Sequence, residues 1–191
     1  MWIRAEAIKP VSGLLIKDLP AFDIFESKPA IINFPYSILL TQPCDLDEFC
    51  RCLENKASLD TEKEENIGRQ VITQVIFCPA FDEALFSSGT HLKEQYDYRM
   101  RILPKPELEK YANNQHVRYH YIKSKEPDIP SFFIDFKQYF TLPALFVKKF
   151  IEEKRGMNEY CLEHLSYTCL ADRFAYYLQR VALPGAAAEN G

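Results

Sequence analysis

Between residues 114 and 140 the chain reads NQHVRYHYIKSKEPDIPSFFIDFKQYF, and four of these residues have the types that move protons or hold anions: Arg118, His120, Asp135 and Lys137. An imidazole can act as acid or base, a carboxylate can orient it, and two cations can hold a phosphate. Arg118, His120 and Asp135 are therefore the catalytic candidates. The alternative is a solvated sheet face laced with cross-strand ion pairs. Asp135 lies inside the apolar run SFFIDF, an unusual place for a charge that only faces water.

Two further constellations carry chemistry. In TQPCDL, Thr41 and Asp45 are binding candidates, and Cys44 would be a nucleophile if a histidine stood near it. A plain turn is the other reading, since Pro43 and Asp45 both favour turns. Asp128, Asp135 and Lys137 have the composition of a metal-dependent nuclease centre, two carboxylates for Mg²⁺ and a lysine for the transition state. Their spacing is short, and Asp128 stands between prolines. His91 and His164 have no partner in the local sequence that would mark them as catalytic. Cys44, Cys50 and Cys52 match no common zinc spacing, no CxxC is present, and no cofactor motif occurs.

The elements that must position these residues follow from apolar periodicity. SGLLIKDLP, PAIINFP and YSILLTQ read as strands. PCDLDEFCRCLEN predicts one or two helical turns through Leu46, Phe49 and Leu53. Residues 55–69 are polar and read as a mobile loop. RQVITQVIFCPAF, 69–81, reads as the strongest strand. Residues 87–103 predict a helix capped by Thr90, with Leu92, Tyr96, Met100 and Leu103 on one stripe, and ELEKYA adds a turn. Residues 116–123 and 131–140 alternate and predict an antiparallel hairpin. Its apolar face would oppose a face carrying Arg118, His120, Asp135 and Lys137. Thr141 caps a helix that ends near Gly156, and a last helix runs from about 158 to 181, with a break near Ser166.

This order predicts an α+β fold with an antiparallel sheet, strongly curled or closed as a small SH3-like barrel, carrying an inserted helix and C-terminal helices. Residues 1–183 form one domain and 184–191 a flexible tail. The formal net charge of −4 argues against a protein dominated by phosphate contacts. The N-terminus has no signal-peptide core and no run reaches a membrane span, so a cytoplasmic location with reduced thiols is expected.

YSILLTQPCD, QVIFCPAF, an inserted helix, RYHYI and FFIDFKQYFTLP occur in an order that resembles the PemK/MazF-type toxin family over roughly residues 30–155. That resemblance implies an SH3-like barrel that binds single-stranded RNA and cleaves it without metal. Thr41 would stand where the family has a strand-end hydroxyl. The chain departs from the family in lacking its Gly-Asp opening and the Arg-Pro pair before the first apolar strand, where it has NFPYSILL. LSYTCLADRFAYYLQRVALP is similar to a segment of a recurring group of bacterial proteins without assigned activity.

Two readings follow. One is a non-enzymatic interaction module of a toxin–antitoxin or phage-defence locus, with a protein partner or a second copy of itself, exposing aromatic surface without clustered cations. The other is a metal-independent endoribonuclease acting on single-stranded RNA. There Arg118 or Lys137 would contact phosphate, His120 would transfer protons, and Tyr119 or Tyr121 would stack bases.

Overall fold

The computed structural model describes residues 1–4, 10–25, 28–56, 72–154 and 160–182. The fold is α+β, with eight strands in one antiparallel sheet. In chain order these are β1 (Trp2–Arg4), β2 (Leu14–Phe25), β3 (Lys28–Leu39), β4 (Gln74–Asp82), β5 (Tyr119–Ile122), β6 (Phe132–Asp135), β7 (Phe140–Pro143) and β8 (Tyr160–Leu162). Six α-helices are described: α1 (Pro43–Lys56), α2 (Glu83–Ser87), α3 (Lys93–Tyr96), α4 (Lys105–Ala112), α5 (Ala144–Glu153) and α6 (His164–Ala182). The strand path is β1-β8-β2-β3-β4-β6-β5, with β7 also on β4. The sheet is open, since β1 and β5 end the path without meeting.

Period-2 alternation builds a core on each face. Leu14 and Ile16 of β2, with Val75 and Phe77 of β4, point to one side, where Leu46 and Phe49 of α1 and Val147 and Ile151 of α5 cover them. Leu15, Ile38, Cys78 and Ala80 point to the other, under Leu170 and Phe174 of α6. Each fully buried Leu or Phe contributes about 2 kcal/mol to this sandwich. The apolar stripe of α1, through Leu46 and Phe49, is as read from sequence, although α1 is longer than one or two turns.

One device shapes the region of interest. β6 and β7 both run antiparallel to β4: Ile134 pairs with Ala80, and Phe140 pairs with Phe77. Residues 135–139 therefore oppose only Cys78 and Pro79. The excess chain loops out as a 3-10 turn, Phe136–Gln138, whose N-cap is Asp135. A long strand is interrupted by a wide bulge, and Pro79 sits opposite it, where a central strand tolerates proline.

Several expectations are corrected. The run 131–140 is two strands around this turn rather than one. Residues 87–103 are not a helix: α3 stops at Asp97, whose φ of 48° is left-handed, and Ser88 closes α2. The stripe Leu92, Tyr96, Met100 is helical in spacing, but Gly89 brings the chain back on itself, and the Met100 N–H donates to the Gly89 carbonyl at 2.9 Å. Thr141 belongs to β7, and Pro143 holds the N-cap position of α5. The last helix starts at His164 and continues through Ser166, because residues 160–162 leave it to pair with β1 and β2. Most of the polar loop (57–69), the residues around Gly156 and the tail lie outside the described residues.

Candidate functional site

The centre of the site is the Asp135–Arg118 pair. Asp135 is fully buried at the end of β6, and its two oxygens accept from Arg118 Nε at 2.7 Å and Nη2 at 2.6 Å. Its Oδ1 also accepts from the backbone N–H of Lys137 at 3.0 Å, which caps the 3-10 turn. This answers why a carboxylate sits in an apolar strand: it closes the bulge from inside and draws the Arg118 guanidinium over it. A bidentate arginine fits this role geometrically. Burial would lower the Arg118 pKa, but the hydrogen bonds and charge of Asp135 override it and raise it. The guanidinium also lies over the Tyr119 ring, 4.8 Å from its centroid.

Second contacts fix Arg118 in turn. The His116 ring stacks on Tyr111 at 4.3 Å, and its Nδ1 accepts from the Arg118 backbone N–H at 3.2 Å. Burial, then the Arg118 charge, lowers the His116 pKa. Arg173 of α6 donates to the carbonyls of His116 (2.9 Å) and Tyr119 (3.2 Å), pinning the entry to β5.

The expected common face of the hairpin does not exist. Tyr119 pairs with Asp135 and Tyr121 with Phe133, so those four share one side, while His120 pairs with Ile134 on the other. His120 is buried there, with Phe136 6.4 Å away, and its Nδ1 has no hydrogen-bond partner. Burial, aided by Arg173, lowers its pKa to about 4. Arg118 reaches Asp135 only because residues 116–118 form a bend ahead of β5, where strand alternation has not begun. Tyr119 and Tyr121 are not turned toward a groove. Both pack against Phe133, the Tyr119 hydroxyl meets the Met100 sulfur at 3.9 Å, and that of Tyr121 donates to Glu83 at 2.9 Å. Burial first, then Asp135, raises the Tyr119 pKa.

Lys137 is exposed, and with Arg118, Leu92, Tyr96, Tyr98 and Gln138 it lines a surface cleft of about 340 Å³. The Tyr96 hydroxyl donates to Gln138 Oε1 at 3.0 Å across this cleft. Tyr96 and Tyr98 were absent from the sequence-based candidates, as was Arg173. The signal for the tyrosines was YDYRMR itself, whose polar and aromatic residues were absorbed into a supposed helix.

The other candidates lie apart. Thr41 is buried at the end of β3, where its Oγ1 accepts from Ile76 N–H at 2.8 Å and its carbonyl accepts from Ser12 and Tyr167 hydroxyls. That is a structural role, holding β3 against β4 and α6. Asp45 and Cys44 fall in the first turn of α1 rather than in a turn. The Cys44 thiol meets Gln42 and Asp45 oxygens at 3.7 and 3.8 Å, and no histidine hydrogen-bonds it among the described residues. Asp128 accepts from the Tyr160 hydroxyl in the loop after β5, at the opposite end of the β5–β6 ladder from Asp135. Among the described residues no three His, Cys, Asp or Glu side chains converge to hold a metal ion. Nor is any described helix long and apolar enough to cross a membrane. No protein-family model, curated protein or solved structure matches this chain.

Proposed function

We propose that this protein is a non-enzymatic interaction module of the cytoplasm that docks a protein partner over the cleft between residues 92–100 and the Lys137–Gln138 turn. One observation carries this reading: tyrosine rings stand exposed on the cleft while the arginine in its lining is already neutralised. Of the lining residues, Tyr98 is 57% exposed and Tyr96 38%, whereas Arg118 is paired with Asp135. Such a surface offers a partner large apolar contact area with fixed polar edges. The groups that would perform acid–base chemistry are engaged elsewhere. Asp135 is saturated by three hydrogen bonds, and His120 is buried and neutral on the opposite face of the sheet.

The same reading includes a PemK/MazF-like ancestry and a toxin–antitoxin or phage-defence setting. Its structural corollary is an SH3-like barrel opened between β1 and β5. The order of the strands YSILL, QVIFCPAF, RYHYI and FFIDFKQYFTLP supports it.

The lining of the cleft favours one second reading, single-stranded RNA. Tyr96 and Tyr98 offer stacking faces, and Lys137 with the outer edge of Arg118 offers phosphate contacts. A photo-crosslinking residue in place of Tyr98 separates the two, with Lys149 on α5 as the control position. One discrete protein adduct from the host lysate at position 98, absent at 149, is the expected result. Saturable binding of a fluorescent single-stranded RNA, lost in Tyr96→Ser/Tyr98→Ser, would transfer the assignment to RNA.

A further inference from the structure

The cleft proposed above as a docking surface has a polar end whose open nitrogen groups are all donors. Arg118 Nε and the Lys137 backbone N–H both donate to Asp135 Oδ1, at 2.7 and 3.0 Å, so the guanidinium and the root of the Lys137 side chain stand side by side. Arg118 Nη2 donates to Asp135 Oδ2, while Nη1 has no hydrogen-bond partner among the described residues and is not buried. The Lys137 side chain is exposed, and its ammonium makes no ion pair or hydrogen bond among the described residues. The Tyr96 hydroxyl occupies Gln138 Oε1 at 3.0 Å, which leaves the amide Nε2 without a partner and open to solvent. The rest of the lining is apolar: Leu92, Met100 and the rings of Tyr96 and Tyr98. Charge points the same way. No carboxylate lines the cleft. Asp135 is spent on Arg118, and the exposed neighbours Asp97 and Arg99 offset each other. One uncompensated positive charge remains, on Lys137.

We propose that the segment docked here is an acidic peptide stretch: an Asp or Glu side chain meets Lys137 Nζ, with Arg118 Nη1 and Gln138 Nε2 as further donors, and an adjacent large apolar side chain packs on Tyr96 and Tyr98. This rests on the docking reading of the cleft and names what that partner presents. An ionised carboxylate is acceptor-only and takes several donors at once, so it complements a polar end that offers donors alone. A hydroxyl or amide would bring a donor of its own, for which this end holds no free nitrogen acceptor. Charge matching selects among anions. One uncompensated cation balances one carboxylate, whereas a phosphate monoester carries up to two charges. A single strand of RNA carries a charge on every phosphate and is held by a cationic groove along its backbone, which one lysine does not form. The tyrosine rings supply rigid contact area at small entropic cost, so a short segment gains from an apolar neighbour of the carboxylate.

The test uses the full chain, ¹⁵N-labelled, titrated with short peptides of Gly and Ser that carry a central Glu-Phe, Gln-Phe, Glu-Gly or phosphoserine-Phe pair. Saturable shifts at residues 92–100 and 137–138 are expected for Glu-Phe, with a dissociation constant of about 1 mM or tighter. Gln-Phe and Glu-Gly should each bind about fivefold more weakly. Lys137→Gln keeps the backbone N–H that caps Asp135, so the fold stands, and it should bring Glu-Phe and Gln-Phe within about twofold of each other. Gln-Phe binding the cleft as tightly as Glu-Phe overturns the inference and leaves the docking reading intact. Phosphoserine-Phe binding more tightly than Glu-Phe overturns it in favour of a phosphate. No saturable shift with Glu-Phe overturns it as well, while the docking reading is decided separately by the crosslink at position 98. Single-stranded oligouridylate shifting the same residues at lower concentration than any peptide overturns both.

Discussion

Replacing Asp135 with asparagine removes the charge that organises the interrupted strand while keeping its shape. The wild-type carboxylate is fully buried and accepts three hydrogen bonds, two of them from one guanidinium. The amide retains one acceptor oxygen, so the Lys137 N–H cap survives at the expense of one arginine bond and the charge attraction. Removing one member of a buried pair costs about 3–5 kcal/mol. The Arg118 side chain is 25% exposed and water takes up part of its orphaned charge, which places the loss at about 2–4 kcal/mol. Arg118→Met strands the carboxylate without any exposure and costs about 3–5 kcal/mol. Arg118→Met/Asp135→Asn removes both charges at once, and its loss should fall short of the sum of the single changes by at least about 2 kcal/mol. Urea unfolding followed through the buried Trp2, the single tryptophan, measures all four corners of this cycle. Losses below about 1 kcal/mol for both single variants, or strict additivity, would refute the argument that this pair holds the bulge.

Other outcomes follow from the same structure. His91 and His120 are held near pKa 4, chiefly by burial, whereas unfolded histidine titrates near 6.5. Stability is therefore full above about pH 6.5 and falls as pH drops toward about 4, by up to about 3 kcal/mol per ring. Urea midpoints across this range check it, and His91→Phe/His120→Phe should flatten the profile. Gly89 has φ +72° and an added Cβ would lie 2.3 Å from the Met100 carbonyl oxygen, so Gly89→Ala should cost about 2–4 kcal/mol by urea unfolding. Brief alkylation of the native protein should modify exposed Cys44 and Cys169 and spare Cys78, whose pKa is raised by burial and then by Asp135. Mass spectrometry of the peptides reads the pattern. Thr41→Val strands the Ile76 N–H and should cost about 1–3 kcal/mol, measured in the same unfolding assay.

What the sequence disclosed was whatever local periodicity encodes. β2, β4, the apolar face of α1 and the α+β class follow from it, whereas PAIINFP and YSILLTQ, read as two strands, are the single strand β3. The reasons for the failures are equally specific. Leu92, Tyr96 and Met100 have helical spacing, but their burial comes from a chain reversal at Gly89 that brings distant segments together. β1 and β8 stabilise each other across the whole length of the chain, and three-residue strands have no period to detect. In the candidate site, the apolar run around Asp135 marked it as an unusual place for a charge, and its partner Arg118 comes from the bend ahead of β5, outside the strand alternation. Alternation within each strand did not fix their mutual register, and the pairing of Tyr119 with Asp135 puts His120 on the other face. Tyr98 and Arg173 owe their roles to tertiary neighbours, which no local pattern specifies.

The most direct test is incubation of the purified protein with a fluorescent single-stranded RNA mixture, with and without EDTA, beside Arg118→Ala/His120→Ala. A non-enzymatic interaction module leaves the RNA intact under every condition. Cleavage that survives EDTA and disappears in the double variant would contradict the account and establish a metal-independent ribonuclease instead.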